Sequence, residues 1–311
     1  MSVVLNVALP VFAIILAGYV AGRVRILDDA ASAALNAFVY WFALPAVLFL
    51  GIARRRIDEI FNWPFVGAFL GAMLIVYALG SLIGWLIHRE SGPVVNMQGL
   101  NAAFSNTGYM GIPLFLAAFG PDKLAPAILA TVLMSTVMTG TAIIVLELLR
   151  SAGRGLGHAL ANVGVALAKN PLIVATAAGT AISLAQLPLP TPVVNFTEIL
   201  GASAGPCALF AIGLFLAGRP LAADLGEVGW ICALKLLWQP LITWALIETL
   251  FPLEPEWRSA AILLAALPTG ALTFVVAQRY EVYVERTSAA ILISTILSVP
   301  TLSVLLALSR G

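Results

Sequence analysis

The sequence predicts an all-α polytopic membrane protein: ten transmembrane helices in two inverted five-helix repeats, with helices four and nine broken where they cross. Three observations predict it. Of the 311 residues, 61% are hydrophobic and 10% charged, and the mean hydropathy is +1.02, a balance foreign to soluble domains. The apolar residues fall in runs of roughly 20, the length at which a helix crosses about 30 Å of hydrocarbon. The second half of the chain also repeats the register of the first.

The runs cover residues 3–22, 31–52, 63–87, 95–119, 124–149, 170–187, 194–218, 228–251, 258–279 and 287–308. Barrel strands would instead alternate over segments of about ten residues, and no such alternation persists. The first run, opening "MSVVLNVALP", has no basic n-region and ends at Arg23 and Arg25 without a convincing cleavage site, so it reads as a span and not as a signal peptide. Basic residues set the orientation. With the N-terminus outside, inner loops hold 9 of them, among them Arg23, Arg89, Lys169, Arg219 and Arg286. Outer loops hold 6, including the Arg54–Arg56 triplet that argues the other way. Both termini are therefore expected outside an integral plasma (inner) membrane, with the hydrophilic connection 151–169 in the cytoplasm.

The repeats are read from three matches in order. Pro10 and Gly18 recur 161 residues later as Pro171 and Gly179; "ALPAVLF" (43–49) recurs at the same offset as "AGPCALF" (204–210); and "VLMSTVMT" (132–139) matches "ILISTILS" (291–298) at an offset of 159. Residues 1–150 form the first repeat, 151–169 a short linker and 170–311 the second. Because five is odd, the second repeat enters from the opposite side, the build in which secondary transporters place their substrate sites near the midplane.

Spans four and nine are where the sequence breaks. Gly108, Gly111 and Pro113 punctuate the fourth around its midpoint at residue 107, and Pro268 and Gly270 punctuate the ninth. Proline removes a backbone donor and clashes with the preceding turn, so each helix is expected to unwind there. In hydrocarbon the freed backbone groups persist only inside protein or beside a wet cavity, and the half-helix N-termini offer an anion site. Gln98, Asn101 and Ser105 form a polar stripe leading to Asn106 and Thr107; Thr269, Thr273 and Gln278 play the matching part. Such residues are either interhelical glue, at about 0.6 kcal/mol each, or ligands; for Asn106, beside the break, the ligand reading is preferred.

At these residues the chain resembles the auxin efflux carriers, the plant PIN proteins and their prokaryotic relatives. The likeness spans the whole chain and rests on "NTGYMGIPL" (106–114), "LFAIGLFLAGRP" (209–220), "LPTGALTFVVAQRYEV" (267–282) and "KLLWQP" (235–240). It implies a scaffold domain from spans one, two, six and seven, a moving transport domain from the rest, an elevator motion, homodimers, and export of a small organic anion, either an auxin-like aromatic acid or a short carboxylate such as malonate. Carried onto this sequence, Asn106, Gly111, Pro113, Pro268 and Gly270 form the crossover against which the carboxylate sits. Met110 and Phe274 are apolar walls, and Asn101, Thr107, Thr269 and Thr273 are polar neighbours. The connection between halves is far shorter than in the plant carriers, and Leu272 stands where many prokaryotic members have Asn. The broken-helix pair by itself would also admit a sodium- or proton-coupled symporter of the bile-acid carrier type, or an anion receptor that moves nothing.

Lys235 is the charge read well inside a span, and intramembrane charges are by default functional. It either holds carbonyls freed near Pro240 or meets the substrate. Cys207 and Cys232 read as small core residues, and Glu147, Glu198 and Glu248 as interfacial. A net charge of +1 gives no case for nucleic acid. No nucleophile with a base, aspartate pair or metal constellation is present, so an enzyme, a cofactor or a metal is not expected. Nor does any ring of charge mark a channel.

Overall fold

Proline sets where many of these helices begin. The computed structural model describes residues 9–150, 161, 164–165, 167–218 and 224–308. Its helices are α1 (Leu9–Arg23), α2 (Asp29–Ala53), α3 (Trp63–Leu86), α4 (Gly92–Ala103), α5 (Thr107–Phe119), α6 (Ala125–Leu149), α7 (Pro171–Ala185), α8 (Thr191–Ala217), α9 (Leu225–Thr249), α10 (Pro255–Ala265), α11 (Leu272–Tyr280) and α12 (Val284–Leu308). Proline occupies the first turn of α4, α7, α8 and α10, where its missing N–H would have had no partner in any case. Asp28 caps α2 by accepting from Ala31 N, Asn170 caps α7 by accepting from Leu172 N, and Asp224 caps α9 by accepting from Glu227 N. The linker read at 151–169 lies largely outside the described residues.

Among the described residues six helices are long and apolar enough to cross a membrane: α2, α3, α6, α8, α9 and α12; α1, α5 and α7 are shorter apolar helices. The chain is all-helical, with no strand among the described residues, as expected of a polytopic membrane protein. Leu74, Leu79, Leu82 and Trp85 of α3 point out of the protein. In water such a row would be a liability, whereas lipid is as apolar as leucine.

Proline also reshapes helices from within. In α2, α5 and α9 one turn is widened to π geometry, at Val39–Ala43, Thr107–Gly111 and Leu234–Trp238, and each ends two residues before a proline: Pro45, Pro113 and Pro240. Widening the turn relieves the clash between the ring and the preceding carbonyl without breaking the rod. Around Pro113, then, the helix is wound wide and is not unwound as its sequence suggests. A fourth wide turn, Met134–Met138 in α6, has no proline after it.

Contacts divide the chain into two compact units, each drawing on both halves of the sequence. One comprises Met1–Asn62, Thr107–Val132 and Lys169–Arg219; the other comprises Trp63–Asn106, Leu133–Ala168 and Pro220–Gly311. Within the first, α1 and α8 touch backbone to backbone: a Cβ on Gly18 would lie 2.2 Å from the Phe210 carbonyl oxygen, and one on Gly213 would lie 2.0 Å from that of Ile15. Gly18 and Gly22 form a G-x-x-x-G pair, the spacing that lets membrane helices approach this closely. Within the second, α4 is buried on every side from Asn96 to Ala103.

Candidate functional site

Helix α4 stops at Ala103 and α10 at Ala265, and in the second unit the segments that follow them pair. Asn106 N donates to the Pro268 carbonyl and Gly270 N to the Phe104 carbonyl, both at 2.9 Å, closing an antiparallel bridge between Ser105 and Thr269. The contact needs a glycine: a Cβ on Gly270 would meet the Phe104 ring at 2.7 Å and the Asn106 Cα at 3.2 Å. The break at Phe104–Asn106 itself contains neither glycine nor proline, and its extended backbone is set by its partner strand.

Helix ends leave carbonyls without their intrahelical donors, and side chains take these up. Thr269 Oγ1 donates to the Asn101 carbonyl at 2.9 Å, Gln239 Nε2 to that of Ala103 at 3.0 Å, and Lys235 Nζ to that of Ala265 at 2.7 Å. Thr269 N, the donor that an unbroken helix would give Ala265, turns instead to Ser294 Oγ at 3.0 Å. Ser105 Oγ accepts from Lys235 Nζ at 2.9 Å and from Gln239 Nε2 at 3.4 Å. Thr273 Oγ1 closes onto the Gly270 carbonyl at 2.9 Å, and Asn101 Nδ2 donates to Thr287 Oγ1 at 2.9 Å.

Three side-chain atoms here have no partner. Asn101 Oδ1, Asn106 Nδ2 and Gln239 Oε1 are buried without a hydrogen bond, although their residues are at most 3% exposed. An unpaired buried polar group costs about 1–3 kcal/mol, which sets these three atoms apart from the bonded groups around them. The structure thus brings Asn101, Asn106, Lys235, Pro268, Thr269, Gly270 and Thr273 together in the second unit, where Phe274 is also buried on α11. Thr107, Met110, Gly111 and Pro113 are buried too, but belong to the first unit; Gly111 closes the wide turn of α5 and Pro113 follows it.

A second polar cluster in the same unit was not legible in advance. Glu227, in the first turn of α9 and 3% exposed, accepts from Gln98 Nε2 and from the Tyr283 hydroxyl, and its Oε2 lies 2.8 Å from Arg286 NH1. Arg286 also reaches Glu90 at 3.1 Å and Asp224 at 3.7 Å. Burial, and after it the hydrogen bond to Glu227, raises the Tyr283 phenol above its usual range, so it stays a donor at neutral pH. Glu227 lies one residue outside the apolar run of its span, where the sequence gives it no membrane context. Gln239 was hidden in plain view, four residues after Lys235 on one helix face.

Elsewhere, in the first unit, the arginine triplet lines a cleft of about 430 Å³ with Ser183, Gln186 and Leu189. Arg54 is held by Glu198 at 2.7 Å, and Arg55 by the carbonyls of Pro121 at 3.0 Å and Asp122 at 2.7 Å. Among the described residues no group of three or more His, Cys, Asp or Glu is placed to hold a metal.

The family model described as Membrane transport protein matches residues 3–155 and 157–306. A Rhizobium meliloti (strain 1021) protein bearing the name "Putative malonate transporter" is 34% identical over all of this chain and 97% of its own length. "Uncharacterized transporter YfdV" of Escherichia coli (strain K12) is 25% identical over 97% of the chain and 96% of its own length. "Auxin efflux carrier component 2" of Arabidopsis thaliana is 28% identical over 43% of the chain and 22% of its own length. The chain belongs to the membrane transport protein family, the auxin-efflux-carrier-like transporters.

Proposed function

We propose that this protein is a secondary transporter exporting a short carboxylate of the malonate class, with ten spans in two inverted repeats and the substrate held at the crossing of α4 with the α10–α11 connection. The observation that carries this reading is the unpaired buried donor Asn106 Nδ2, beside backbone opened by two helix breaks; the unpaired oxygens of Asn101 and Gln239 are acceptors and take no part in holding a carboxylate. The start of α11, with its positive helix end, follows the paired segment 268–270 directly and suits an anion. The printed name of the Rhizobium meliloti relative favours a short dicarboxylate over an aromatic acid. An elevator motion is supported by the division into two compact units that each combine both sequence halves. Homodimerisation completes the reading, as does the inner membrane with both termini outside.

Among the described residues no acidic side chain lies at the crossing to carry a proton, and the transporter is proposed to be uncoupled and driven by membrane potential, which is worth about 2.3 kcal/mol per charge at 100 mV. In proteoliposomes, malonate flux is expected to follow a potassium–valinomycin potential and to ignore pH or sodium gradients at fixed voltage. Asn106→Ala should fold and melt like the native chain while losing at least about tenfold in flux, a loss of about 1.4 kcal/mol in binding. Uptake against the substrate gradient, driven by sodium or protons at zero potential, would replace this reading with a coupled symporter. Saturable binding without any flux would make the protein a receptor.

Orientation has its own check. Single cysteines introduced near Asp122 and Glu254, in a chain lacking Cys207 and Cys232, are expected to react with an impermeant thiol reagent on intact cells. Reaction only after permeabilisation would turn the proposed topology over.

A further inference from the structure

Lys235 is wholly buried, and among the described residues the atoms it contacts belong to neutral groups: the Ser105 hydroxyl at 2.9 Å and the Ala265 carbonyl at 2.7 Å. No carboxylate pairs with it, although the second unit contains a buried one in Glu227. An isolated charge at this depth is costly, so the surroundings must supply the stabilisation, and they do so without a counter-charge. The Ala265 carbonyl is the one exposed by the break, since Thr269 N has turned to Ser294. It also lies at the C-terminal end of α10, where the helix dipole concentrates about half a negative charge. Next to it, Gln239 approaches the same Ser105 hydroxyl with its amide and carries a buried oxygen with no donor.

Neutral oxygens converging at the end of a broken helix are how proteins hold hard monovalent cations; membrane carriers place coupling ions on unwound carbonyls and half-helix C-termini. We infer that the pocket formed by Ser105 Oγ and the Ala265 carbonyl, with the unbonded Gln239 Oε1 in the same side-chain cluster, is a monovalent-cation site whose resident ion is the tethered Lys235 ammonium. The charge that a coupled carrier would have to recruit from solution is here part of the chain. It neutralises the carbonyl end of α10 and joins α9, through Ser105 on one segment and Ala265 on the other, to both sides of the crossing. Removing the tether while leaving the oxygens should therefore create a protein that binds a free cation.

The test reads protein stability and needs no substrate, so its outcome is separate from that of the transport reading. Purified native protein and Lys235→Ala are melted in detergent at fixed ionic strength in chloride salts of sodium, potassium, ammonium or N-methylglucamine, the last too large for the pocket. The native chain should melt alike in all four. Lys235→Ala should melt about 10 °C lower in N-methylglucamine, as expected when a buried charge network loses a partner. At least one small cation should recover half or more of that shift, rising with concentration as mass action requires. Adding Ser105→Ala to the variant should abolish the recovery. If Lys235→Ala gives no folded protein in any salt, Lys235→Gln decides, because it removes the charge while keeping a hydrogen-bond donor on a shorter side chain. A glutamine variant as stable as the native chain in N-methylglucamine, or an alanine variant whose melting ignores the cation, would reduce Lys235 to an ordinary hydrogen-bond tie and overturn the inference.

Discussion

Gly213→Ala is expected to lower stability by about 3 kcal/mol or more, near the upper end of what overpacking does, although it adds a single methyl group. That carbon would sit 2.0 Å from the Ile15 carbonyl oxygen and 2.6 Å from Tyr19 N, atoms of a helix backbone that cannot rotate away. The α1–α8 pair must separate, and every contact along it loosens. Gly229→Ala, in α9, is the matched control: nothing lies within 4 Å of its Cβ position, and the gain in helix propensity is worth up to about 1 kcal/mol. Folded yield and melting temperature in detergent, compared for the two variants, check the prediction. Equal behaviour would mean that α1 and α8 are not in backbone contact.

Arg286→Ala is expected to cost about 3 kcal/mol, the lower end for breaking a buried ion pair because the guanidinium is 35% exposed while Glu227 is 3% exposed. The loss is dominated by the carboxylate left behind with only Gln98 and Tyr283 as partners, together with the repulsion of Glu90 and Asp224 that Arg286 had balanced. Glu227→Gln in the Arg286→Ala background should therefore regain most of it. Thermal melts of the two single variants and the double variant form a cycle with a coupling of about 2 kcal/mol. Additive effects would show that the two side chains do not interact as drawn.

Length and composition made the helices legible, because hydrocarbon thickness permits few ways to arrange an apolar run. The reading of spans four and nine as interrupted came from proline and glycine, and here the sequence was only half right. Pro268 and Gly270 lie in the ninth break itself. In the fourth, Pro113 produces a wide turn, as Pro45 and Pro240 do, while the true break at Phe104–Asn106 is imposed by pairing with residues 268–270 and leaves no local signature. Glu227 was unreadable for the same reason: a polar residue beside an apolar run is interfacial or central depending on what packs against it, and Arg286 lies 59 positions away in the sequence. Gln239, at the middle of its run, carried the signal that singled out Lys235, but its partner carbonyl at Ala103 lies 136 positions away. Asn101, Asn106 and Lys235 were legible because a polar group deep within an apolar span has few cheaper explanations.

The crossing is tied by main-chain atoms, and this separates two properties that usually drift together. Asn106 lends the frame its N–H while its side-chain Nδ2 is committed to nothing in the protein. A change of side chain there leaves the knot between the broken helices as it was. If the proposed carboxylate site is right, ligand preference at this position can thus evolve, or be engineered, on a nearly flat stability landscape. Gly270, two residues past Pro268 on the facing segment, has no such latitude, because the Phe104 ring fills the space that any side chain would need.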